Sequence, residues 1–482
     1  MRVLNICSEV HPLNKVGGLG DVAFELPQVL NKTKKVVSSV IVPLNKLAIE
    51  NLEKLNLKIQ YMKEMYIPLD LRCHRLSLSK LLWDKNVEIF LVGGDIIEKS
   101  PPYPEKNDPL YNFVFPLFAL GCLEILKENF LEQSYDLIHV HDWPASLIPI
   151  FSSFHRYYKD FKIPPIVLSI HNIAHQGIYE PEVIEKWHLL PHCFNVSYLE
   201  FWGKINLLKG GIILSRAIIT VSPSYAEEIK TPEFGFGLDG VIRENAQKLY
   251  GITNGIDQER WDPSKDNAIP CKYDYQNLEG KRKCKANLLK ELSLENDIDK
   301  PLISVISRIT YQKGFDILIP VISEILNLGC QMIVLGSGDP YFSEKLSFIE
   351  RDFSSCYKFI NTFDETLARK VYAASDILLM PSLYEPCGIS QMIALRYGTI
   401  PVARKVGGLK DTIKDLEEDG WGFLFEEYSP RALLESVRKA ISIYTNQKEK
   451  FSNAIKKAMC LDFSWESKIN SYLDVYKKIL KR

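Results

Sequence analysis

The sequence has no excess of charge of either sign. Its 482 residues include 59 Lys and Arg against 60 Asp and Glu, which leaves a formal net charge of −1. A nucleic acid or an anionic membrane is usually bound through a strongly basic surface, so this balance argues against both kinds of partner. The expected partner is therefore small or uncharged.

Paired cysteines and long apolar runs are also missing. The ten cysteines are scattered from Cys7 to Cys460 without a C-x-x-C pair, which favours reduced thiols over a disulfide framework or a zinc site. No stretch approaches the length of a membrane span, and Asn5 and Glu9 interrupt the first apolar run before a signal sequence is formed. These absences predict a cytoplasmic protein without membrane contact.

The pentapeptide Lys-Val-Gly-Gly-Leu is present twice, at Lys15–Leu19 and at Lys405–Leu409. The first copy stands between an apolar run and a helical pattern, so a strand, a glycine-rich turn and a helix start follow in order. Such a turn offers backbone N–H groups and a positive helix end to an anion, with the lysine as a point charge. In the alternative interpretation, Gly17, Gly18 and Gly20 only shape a tight turn.

Short apolar runs alternate with helical patterns in both halves of the chain. This alternation is typical of parallel sheets covered on both faces, so the fold class is α/β with two doubly wound domains. A turn-rich segment, Gly251–Asp257, places the connection, which gives domains 1–253 and 254–460 and a helical tail 461–482. The predicted strands are Val3–Cys7, Val36–Val42, Val87–Val92, Leu137–Val140, Ile166–Ile170, Ala217–Val221, Leu302–Ile306, Gln331–Leu335, Tyr357–Ile360, Ile377–Met380 and Ile400–Val402.

Polar side chains follow several of these strands directly, where doubly wound sheets bind ligands. Asp142 and His171 follow strands of the first half. In the second half, Arg308 and Lys313 are five residues apart, and we expect them to grip a diphosphate from two sides. Glu385 lies in a turn before the next helix, where we expect its carboxylate and the backbone amides to bind sugar or ribose hydroxyls. An ordinary surface pair is the alternative for the two cations.

Three patterns are reminiscent of metal sites, and a fourth of a nucleic-acid patch. None has the remaining ligands or the helical context that such sites require, so we predict no metal ligand and interpret the basic run as a solvated helix face. The four patterns are His139-x-His141-Asp142, His171 with His175, Asp297 with Asp299, and Lys281–Lys285.

The ordered motifs resemble the bacterial glycogen synthases and plant starch synthases, which are retaining glucosyltransferases of the GT-B fold. The resemblance covers nearly the whole chain. It implies two Rossmann-like domains with the active site in the cleft between them, and transfer of glucose from ADP-glucose to the non-reducing 4-OH of an α-1,4-glucan such as glycogen. A plastid-like compartment replaces the cytoplasm in a plant-type host. The motifs include Ser8-Glu9, Lys15–Val22, His139–Trp143, Val221–Tyr225, Asn254–Asp257, Gln312–Gly314, Glu385–Gly388 and Arg396–Thr399.

The resemblance also implies a role for each matching residue. Lys15, Gly17 and Gly18 approach the donor from the acceptor-side domain, and Arg308 and Lys313 hold its diphosphate from the nucleotide-sugar side. The other matching residues line the glucosyl pocket or contact the base of the nucleotide. The cationic side chains make a metal or other cofactor unnecessary. A donor held from both domains requires the cleft to close. The remaining positions are Asp142, His171 and Asn254 in the pocket, Glu385, Cys387 and Gly388 on sugar hydroxyls, Phe363 stacked on the base, and Ser390 as a hydrogen-bond donor.

The chain departs from the family pattern chiefly at Asp108–Phe113, where the usual Asp-Asn and Arg-Phe pairs are absent. This departure leaves open a catalytically weak glucan-binding or priming protein. A GT-B transferase that uses another nucleotide sugar is the second alternative. The intact cations Lys15, Arg308 and Lys313 favour an active transferase, because a glucan binder needs no diphosphate grip.

Overall fold

The protein is described by a computed structural model that covers residues 1–362 and 364–481. The chain divides into two compact units, which are described separately. Unit 1 contains Met1–Val221, Ala226–Asn254 and the C-terminal stretch from Lys468. Unit 2 contains Ser222–Tyr225 and Gly255–Ser467, so the chain passes from one unit to the other at Asn254–Gly255 and returns near its end.

Unit 1 is built on a nine-stranded sheet in the order β12-β11-β7-β6-β1-β2-β5-β4-β3, with a separate three-stranded sheet, β8-β10-β9. Strands β3 and β4 run antiparallel to each other, β4 runs antiparallel to β5, and the other pairs of the large sheet are parallel. The strands are β1 Arg2–Ile6, β2 Val37–Pro43, β3 Lys58–Leu69, β4 Arg72–Leu82, β5 Glu88–Gly93, β6 Leu137–His141, β7 Ile166–Ile170, β8 Ile178–Tyr179, β9 Glu200–Phe201, β10 Lys204–Asn206, β11 Ala217–Thr220 and β12 Leu249–Gly251.

Unit 2 is built on a wholly parallel six-stranded sheet in the order β15-β14-β13-β16-β17-β18. The order reverses between β13 and β16, which is the switch point where doubly wound sheets open a crevice for ligands. The loops that follow these two strands carry Arg308, Lys313 and Glu385. The strands are β13 Leu302–Ile306, β14 Gln331–Leu335, β15 Tyr357–Ile360, β16 Ile377–Met380, β17 Ile400–Arg404 and β18 Phe423–Phe425.

Helices connect the strands of both units. Those up to Asn254 are α1 Gly18–Lys32, α2 Lys46–Lys54, α3 Asp95–Lys99, α4 Val114–Lys127, α5 Asp142–Ala145, α6 Leu147–Phe154, α7 Val183–Lys186, α8 Leu207–Leu214, α9 Pro223–Glu228 and α10 Asp239–Glu244. The later ones are α11 Glu279–Glu291, α12 Phe315–Leu318, α13 Ile322–Leu326, α14 Pro340–Asp352, α15 Glu365–Ala374, α16 Ser390–Arg396, α17 Gly407–Thr412, α18 Pro430–Asn446, α19 Lys448–Met459 and α20 Trp465–Leu480. The 3₁₀ helices are Pro191–Cys193, Ala246–Lys248, Tyr311–Lys313, Ile319–Val321 and Leu416–Glu418.

Two sequence-based expectations are wrong in detail. Unit 1 is not wholly parallel, because β3 and β4 add an antiparallel hairpin to its edge. The basic run at the start of α11 is only partly a solvated face: Arg282 and Lys283 are exposed, whereas Lys281 and Lys285 are buried. Lys281 donates to the carbonyl of Tyr397 at 3.0 Å, and Lys285 forms an ion pair with Asp376 at 2.7 Å. Burial lowers the pKa of Lys281 to about 7.

Helix α20 begins in unit 2 and belongs to unit 1 from Lys468 onward. The hydroxyl of Tyr476, on this helix, lies 2.8 Å from Nδ1 of His139 in the centre of the large sheet. Nζ of Lys478 lies 5.0 Å from the ring centre of Tyr250. Throughout residues 1–362 and 364–481, every helix is too short or too polar to span a bilayer.

Candidate active site

The glycine-rich turn of unit 1 lies directly before α1. Gly17 is the N-cap of this helix, and its backbone is extended. The N–H groups of Val16 and Gly17 donate to Oε2 of Glu9 at 2.7 and 2.8 Å. The expectation that these N–H groups are unpaired is therefore wrong, since a carboxylate already occupies two of them. A Cβ on Gly17 would meet no atom within 4 Å, so the turn is open on that side.

Glu9 is buried, and each of its oxygens accepts a hydrogen bond. The hydroxyl of Tyr103 donates to Oε1 at 2.6 Å and lies 2.9 Å from the hydroxyl of Ser8. Burial and the charge of Glu9 raise the pKa of Tyr103 well above its usual value. The sequence alone did not reveal that Glu9 accepts hydrogen bonds from the turn or that Tyr103 donates one to Glu9. The available signal was a carboxylate three residues beyond the buried strand β1, where a charge needs several hydrogen-bond donors.

Lys15 does not stand alone as a point charge. Its Nζ lies 2.7 Å from Oδ2 of Asp21, in the first turn of α1, and its side chain is 23% exposed. A Cβ on Gly20 would lie 2.9 Å from both Cβ and Cγ of Lys15. The small residue at position 20 therefore leaves room for the lysine to lie across the start of the helix.

Asp142 begins the turn after β6 and has a left-handed backbone, with φ of +56°. Its Oδ1 accepts a hydrogen bond from the backbone N–H of His171, at the end of β7, at 2.7 Å. Burial raises the pKa of Asp142 to about 7, although the backbone N–H groups of His171 and Asn172 act in the opposite direction. Two predicted pocket residues from different strands are thus in contact.

Three histidines form a stack on β6 and after β7. The ring centres of His139 and His141 are 4.3 Å apart, and those of His141 and His171 are 5.3 Å apart. Nδ1 of His141 lies 3.0 Å from Nε2 of His171, and Nε2 of His139 lies 2.7 Å from the hydroxyl of Ser169. Burial lowers the pKa of His139 to about 3 and that of His171 to about 4. The rings are therefore neutral near pH 7, so His171 contributes hydrogen bonding and not positive charge.

Asn254 is the last residue of unit 1 before the chain enters unit 2. Its side chain is buried, and among the described residues its amide oxygen Oδ1 has no hydrogen-bond partner. Buried polar atoms are nearly always paired in folded proteins. The oxygen is itself closed to solvent, so a hydrogen bond is left unmade at the point where the chain leaves unit 1.

In unit 2, Lys313 and Glu385 form one contact. Nζ of Lys313 lies 2.6 Å from Oε2 of Glu385, and the hydroxyl of Ser382 donates to the same oxygen at 2.9 Å. Gly314 follows with φ of +78°, and a Cβ there would lie 2.0 Å from the carbonyl oxygen of Pro381. A glycine is required at this close approach of the β13 and β16 loops.

Arg308 has a different environment from Lys313. Its side chain is exposed, and within the described part of the chain it has neither a hydrogen bond nor an ion pair. Arg308 lies two residues after the end of β13, at the switch point of the sheet. It is thus a guanidinium without a partner at the edge where a ligand is expected.

The Cys387–Gly388 turn is held from both sides. The side-chain amide of Gln391 donates to the carbonyls of Cys387 and Gly388, both at 3.0 Å. Gly388 has φ of +72°. A Cβ on Gly408 would lie 2.0 Å from the carbonyl oxygen of Cys387, and the Gly408 N–H donates to the Glu385 carbonyl at 3.0 Å. Ser390 begins α16 directly after this turn.

The two copies of the pentapeptide therefore lie in different structural environments. In the second copy, the glycines pack against the Glu385 loop, whereas Lys405 is half exposed and pairs with Glu426 at 2.9 Å. In the first copy, the turn at Gly17 is open, and Lys15 is largely buried beside Asp21. Lys405 is thus one member of a surface ion pair and not a point charge beside an open glycine-rich turn.

Two predictions remain: the role of Phe363 and the expected lack of a metal site. Phe363, predicted to stack on a base, lies outside the described residues. In the part of the chain that is described, no three His, Cys, Asp or Glu side chains are grouped so that they could hold a metal ion.

Comparison with known families matches both halves of the chain. Residues 2–244 match the family model described as "Starch synthase catalytic domain". Residues 291–458 match the model described as "Glycosyl transferases group 1". The two matched segments fall on either side of the passage from unit 1 to unit 2.

Relatives match over the full length. The chain is 38% identical to a glycogen synthase of Pseudothermotoga lettingae, over 100% of this chain and 99% of the relative. It is 39% identical to a glycogen synthase of Thermosipho africanus, over 100% of both. Among solved structures, the catalytic domain of starch synthase IV from Arabidopsis thaliana, bound to ADP and acarbose, superposes with a TM-score of 0.90 at 28% identity, over 100% of this chain and 99% of that chain.

Proposed function

Because this chain belongs to the glycogen and starch synthase family of GT-B glycosyltransferases, we propose that it transfers glucose from ADP-glucose to the non-reducing 4-OH of an α-1,4-glucan, with retention of configuration. The resemblance drawn from the motifs is confirmed, as is the class of enzyme. The choice of ADP-glucose is supported by the ADP in the structural relative. Glycogen or maltooligosaccharides are the proposed acceptors.

The observation that carries this proposal is the cation arrangement at the switch point of unit 2. Arg308 is exposed and has no side-chain partner among the described residues, while Nζ of Lys313 lies 2.6 Å from Oε2 of Glu385. A diphosphate brings at least two negative charges, and a guanidinium fork with an ammonium group matches them. We propose that these two cations hold the diphosphate and stabilise the departing ADP. Phe363 and Ser390 would contact the nucleoside side of the donor.

The glucosyl group is proposed to lie against unit 1 residues and the Glu385 loop. Asp142, which orients the backbone at His171, the neutral ring of His171 and the side chain of Asn254 would line the pocket and hydrogen-bond its hydroxyls. Glu385, Cys387 and Gly388 would contact other hydroxyls of the same sugar. Lys15, with the open turn at Gly17 and Gly18, would approach the donor from unit 1.

The chemistry follows from these placements. As the bond from the anomeric carbon to the phosphate oxygen breaks, positive charge develops on the sugar and negative charge on ADP. Fixed cations on the phosphate side and oriented dipoles on the sugar side stabilise this charge separation without reorganising. The acceptor 4-OH then attacks from the face that ADP leaves, and its proton passes to the departing phosphate. We propose that Arg308, Lys313 and Lys15 make a metal unnecessary.

The experiment is transfer of radiolabelled glucose to glycogen by the purified protein, with ADP-glucose and UDP-glucose as competing donors. We expect label in the polymer from ADP-glucose, and a loss of about a hundredfold or more in Arg308→Ala. Binding of glycogen without transfer from either donor would favour the glucan-binding alternative. Transfer from UDP-glucose alone would favour the alternative with another nucleotide sugar.

A further inference from the structure

Unit 1 carries a tryptophan at the tip of a two-residue hairpin. Strands β9 and β10 pair Phe201 with Lys204, which leaves Trp202 and Gly203 as the turn. Their φ values are +54° and +77°, and the Trp202 side chain is 84% exposed. Asn, Asp and Gly are the residues that suit the first position of such a turn.

A second turn of the same composition lies beside the first. Phe236 and Gly237 have φ values of +49° and +83°, and Phe236 is 40% exposed. A Cβ on Gly237 would lie 3.1 Å from Cζ of Phe201, whose ring is 6.2 Å from that of Trp202. Trp202 and Phe236, with Phe201 between their turns, are called the aromatic turn pair.

Folding alone does not account for these two side chains. A positive φ crowds the Cβ of a bulky residue, so an aromatic ring at that position strains the backbone. Trp202 gains little by burial in return, since most of its ring faces solvent. Asparagine at either position would relieve the strain and reduce the exposed apolar surface. Strained residues of this kind commonly have a function.

The aromatic turn pair is connected to the proposed glucosyl pocket. Gln176 lies in the loop that begins with His171, and its side-chain amide donates to the carbonyl of Phe236 at 3.0 Å. The side-chain amide of Asn206, on β10, donates to the carbonyl oxygen of the same Gln176 side chain at 2.7 Å. One glutamine therefore fixes both turns relative to the pocket loop.

The two cations nearest the turns are already paired. Lys204, next to Gly203, lies 2.6 Å from Glu180, and Arg243, on α10 after Gly237, lies 2.7 Å from Asp239. The Glu200 carboxylate, two residues before Trp202, accepts a hydrogen bond from the Gly203 N–H at 2.7 Å and has no ion pair among the described residues. Because the cations are engaged and this carboxylate is not neutralised by one, the surface suits an uncharged ligand better than a phosphate-bearing one. A polymer of glucose is uncharged and offers apolar C–H faces to aromatic rings.

We propose that the aromatic turn pair binds the acceptor chain beyond the glucosyl pocket, with the rings of Trp202 and Phe236 stacked on successive parts of an α-1,4-glucan. This inference rests on the proposed function for the identity of the polymer. The hydrogen bonds of Gln176 hold the two turns in fixed positions relative to the loop that begins with His171. The aromatic turn pair would increase affinity for long acceptors without taking part in bond breaking.

The test uses Trp202→Asn, Phe236→Asn and the double variant, because asparagine keeps the left-handed turns. Tyr61→Asn is the matched control, since Tyr61 is a 59% exposed aromatic residue on edge strand β3. Glycogen affinity is measured by gel electrophoresis in glycogen without donor, and KM and kcat by label transfer. We expect each single variant to raise the dissociation constant and KM for glycogen about 3-fold to 10-fold, with kcat within about 2-fold. The thermal midpoint should not fall, since the turns become less strained.

Unchanged glycogen affinity in the double variant would overturn the proposal. So would a wild-type dimer that the double variant dissociates, because the surface would then bind a second copy of the chain. The electrophoresis needs no donor, so it remains informative if transfer fails. Absence of transfer by the wild type would contradict the proposed function, whereas intact transfer with unaltered glycogen binding in the variants would contradict only the aromatic turn pair.

Discussion

We expect removal of the Lys313 charge to lower stability through the Glu385 carboxylate that it leaves unpaired, and to lower turnover through the lost contact to the diphosphate. The Lys313 side chain is 17% exposed and that of Glu385 is 6% exposed, at a separation of 2.6 Å. Lys313→Met leaves the Glu385 carboxylate buried with the hydroxyl of Ser382 as its remaining described side-chain donor. Breaking a buried ion pair costs about 3–5 kcal/mol. Since the lysine is partly solvated, we expect a loss of about 2–4 kcal/mol, or roughly 4–16 °C in the midpoint of unit 2.

A second substitution separates the two effects. Lys313→Met with Glu385→Gln removes both charges, so no carboxylate is buried without a cation, and stability should return to within about 1 kcal/mol of the wild type. Turnover should remain about 10²–10³-fold low, because the contact to the departing diphosphate is still missing. Thermal unfolding is measured by calorimetry, and label transfer is measured below every midpoint.

The second pentapeptide supplies the matched control. Lys405 forms an exposed pair with Glu426, so Lys405→Met should cost less than about 1 kcal/mol and leave turnover near that of the wild type. Two results would refute the reasoning about the pair. One is a Lys313→Met protein as stable as the wild type, and the other is recovery of turnover in the double variant.

Three further predictions follow from the described contacts. Glu9→Ala removes the acceptor of the Val16 and Gly17 N–H groups, so kcat should fall at least about 10-fold with glycogen binding retained; a normal kcat would show that Glu9 does not position the turn. The pKa of His139 is lowered in the folded state, so its contribution to stability is present above about pH 6.5 and is lost as pH falls towards 3. Over that window the free energy of unfolding should fall by about 1.4 kcal/mol per pH unit more in the wild type than in His139→Gln, and equal slopes in denaturant titrations would contradict this. Transfer should persist in EDTA, and a loss of activity that Mg²⁺ restores would contradict the metal-free mechanism.

The strands that the sequence predicted well are the ones buried on both faces. Leu302–Ile306 and Ile166–Ile170 match β13 and β7 residue for residue. A short run that is almost wholly apolar is stable only in the interior, so its ends mark the ends of a buried strand. Strands β3 and β4 escaped prediction because many of their positions are exposed and carry charged or polar side chains that obscure the alternation. Burial on both faces, more than the strand propensity of single residues, allowed these strands to be predicted from the sequence.

The site shows the same limit at the level of single residues. Lys313 and Glu385 were identified separately, but their contact joins residues 72 positions apart and leaves no local pattern. Tyr103 was missed because its partner Glu9 is 94 positions away. Lys281 was misjudged because charge in a sequence suggests solvent, whereas four oxygen atoms receive this ammonium group inside unit 2.

Helix α20 makes the folding of unit 1 depend on the order of synthesis. The hydroxyl that pairs with His139 belongs to Tyr476, so the centre of the first sheet obtains this partner only after all of unit 2 has been translated. At about 5–20 residues per second, the ribosome needs roughly 10–45 s between Asn254 and Tyr476. During that interval, the groove for α20 on nascent unit 1 is uncovered. A stop codon introduced shortly before Tyr476 would therefore release a chain whose defect lies in its first domain.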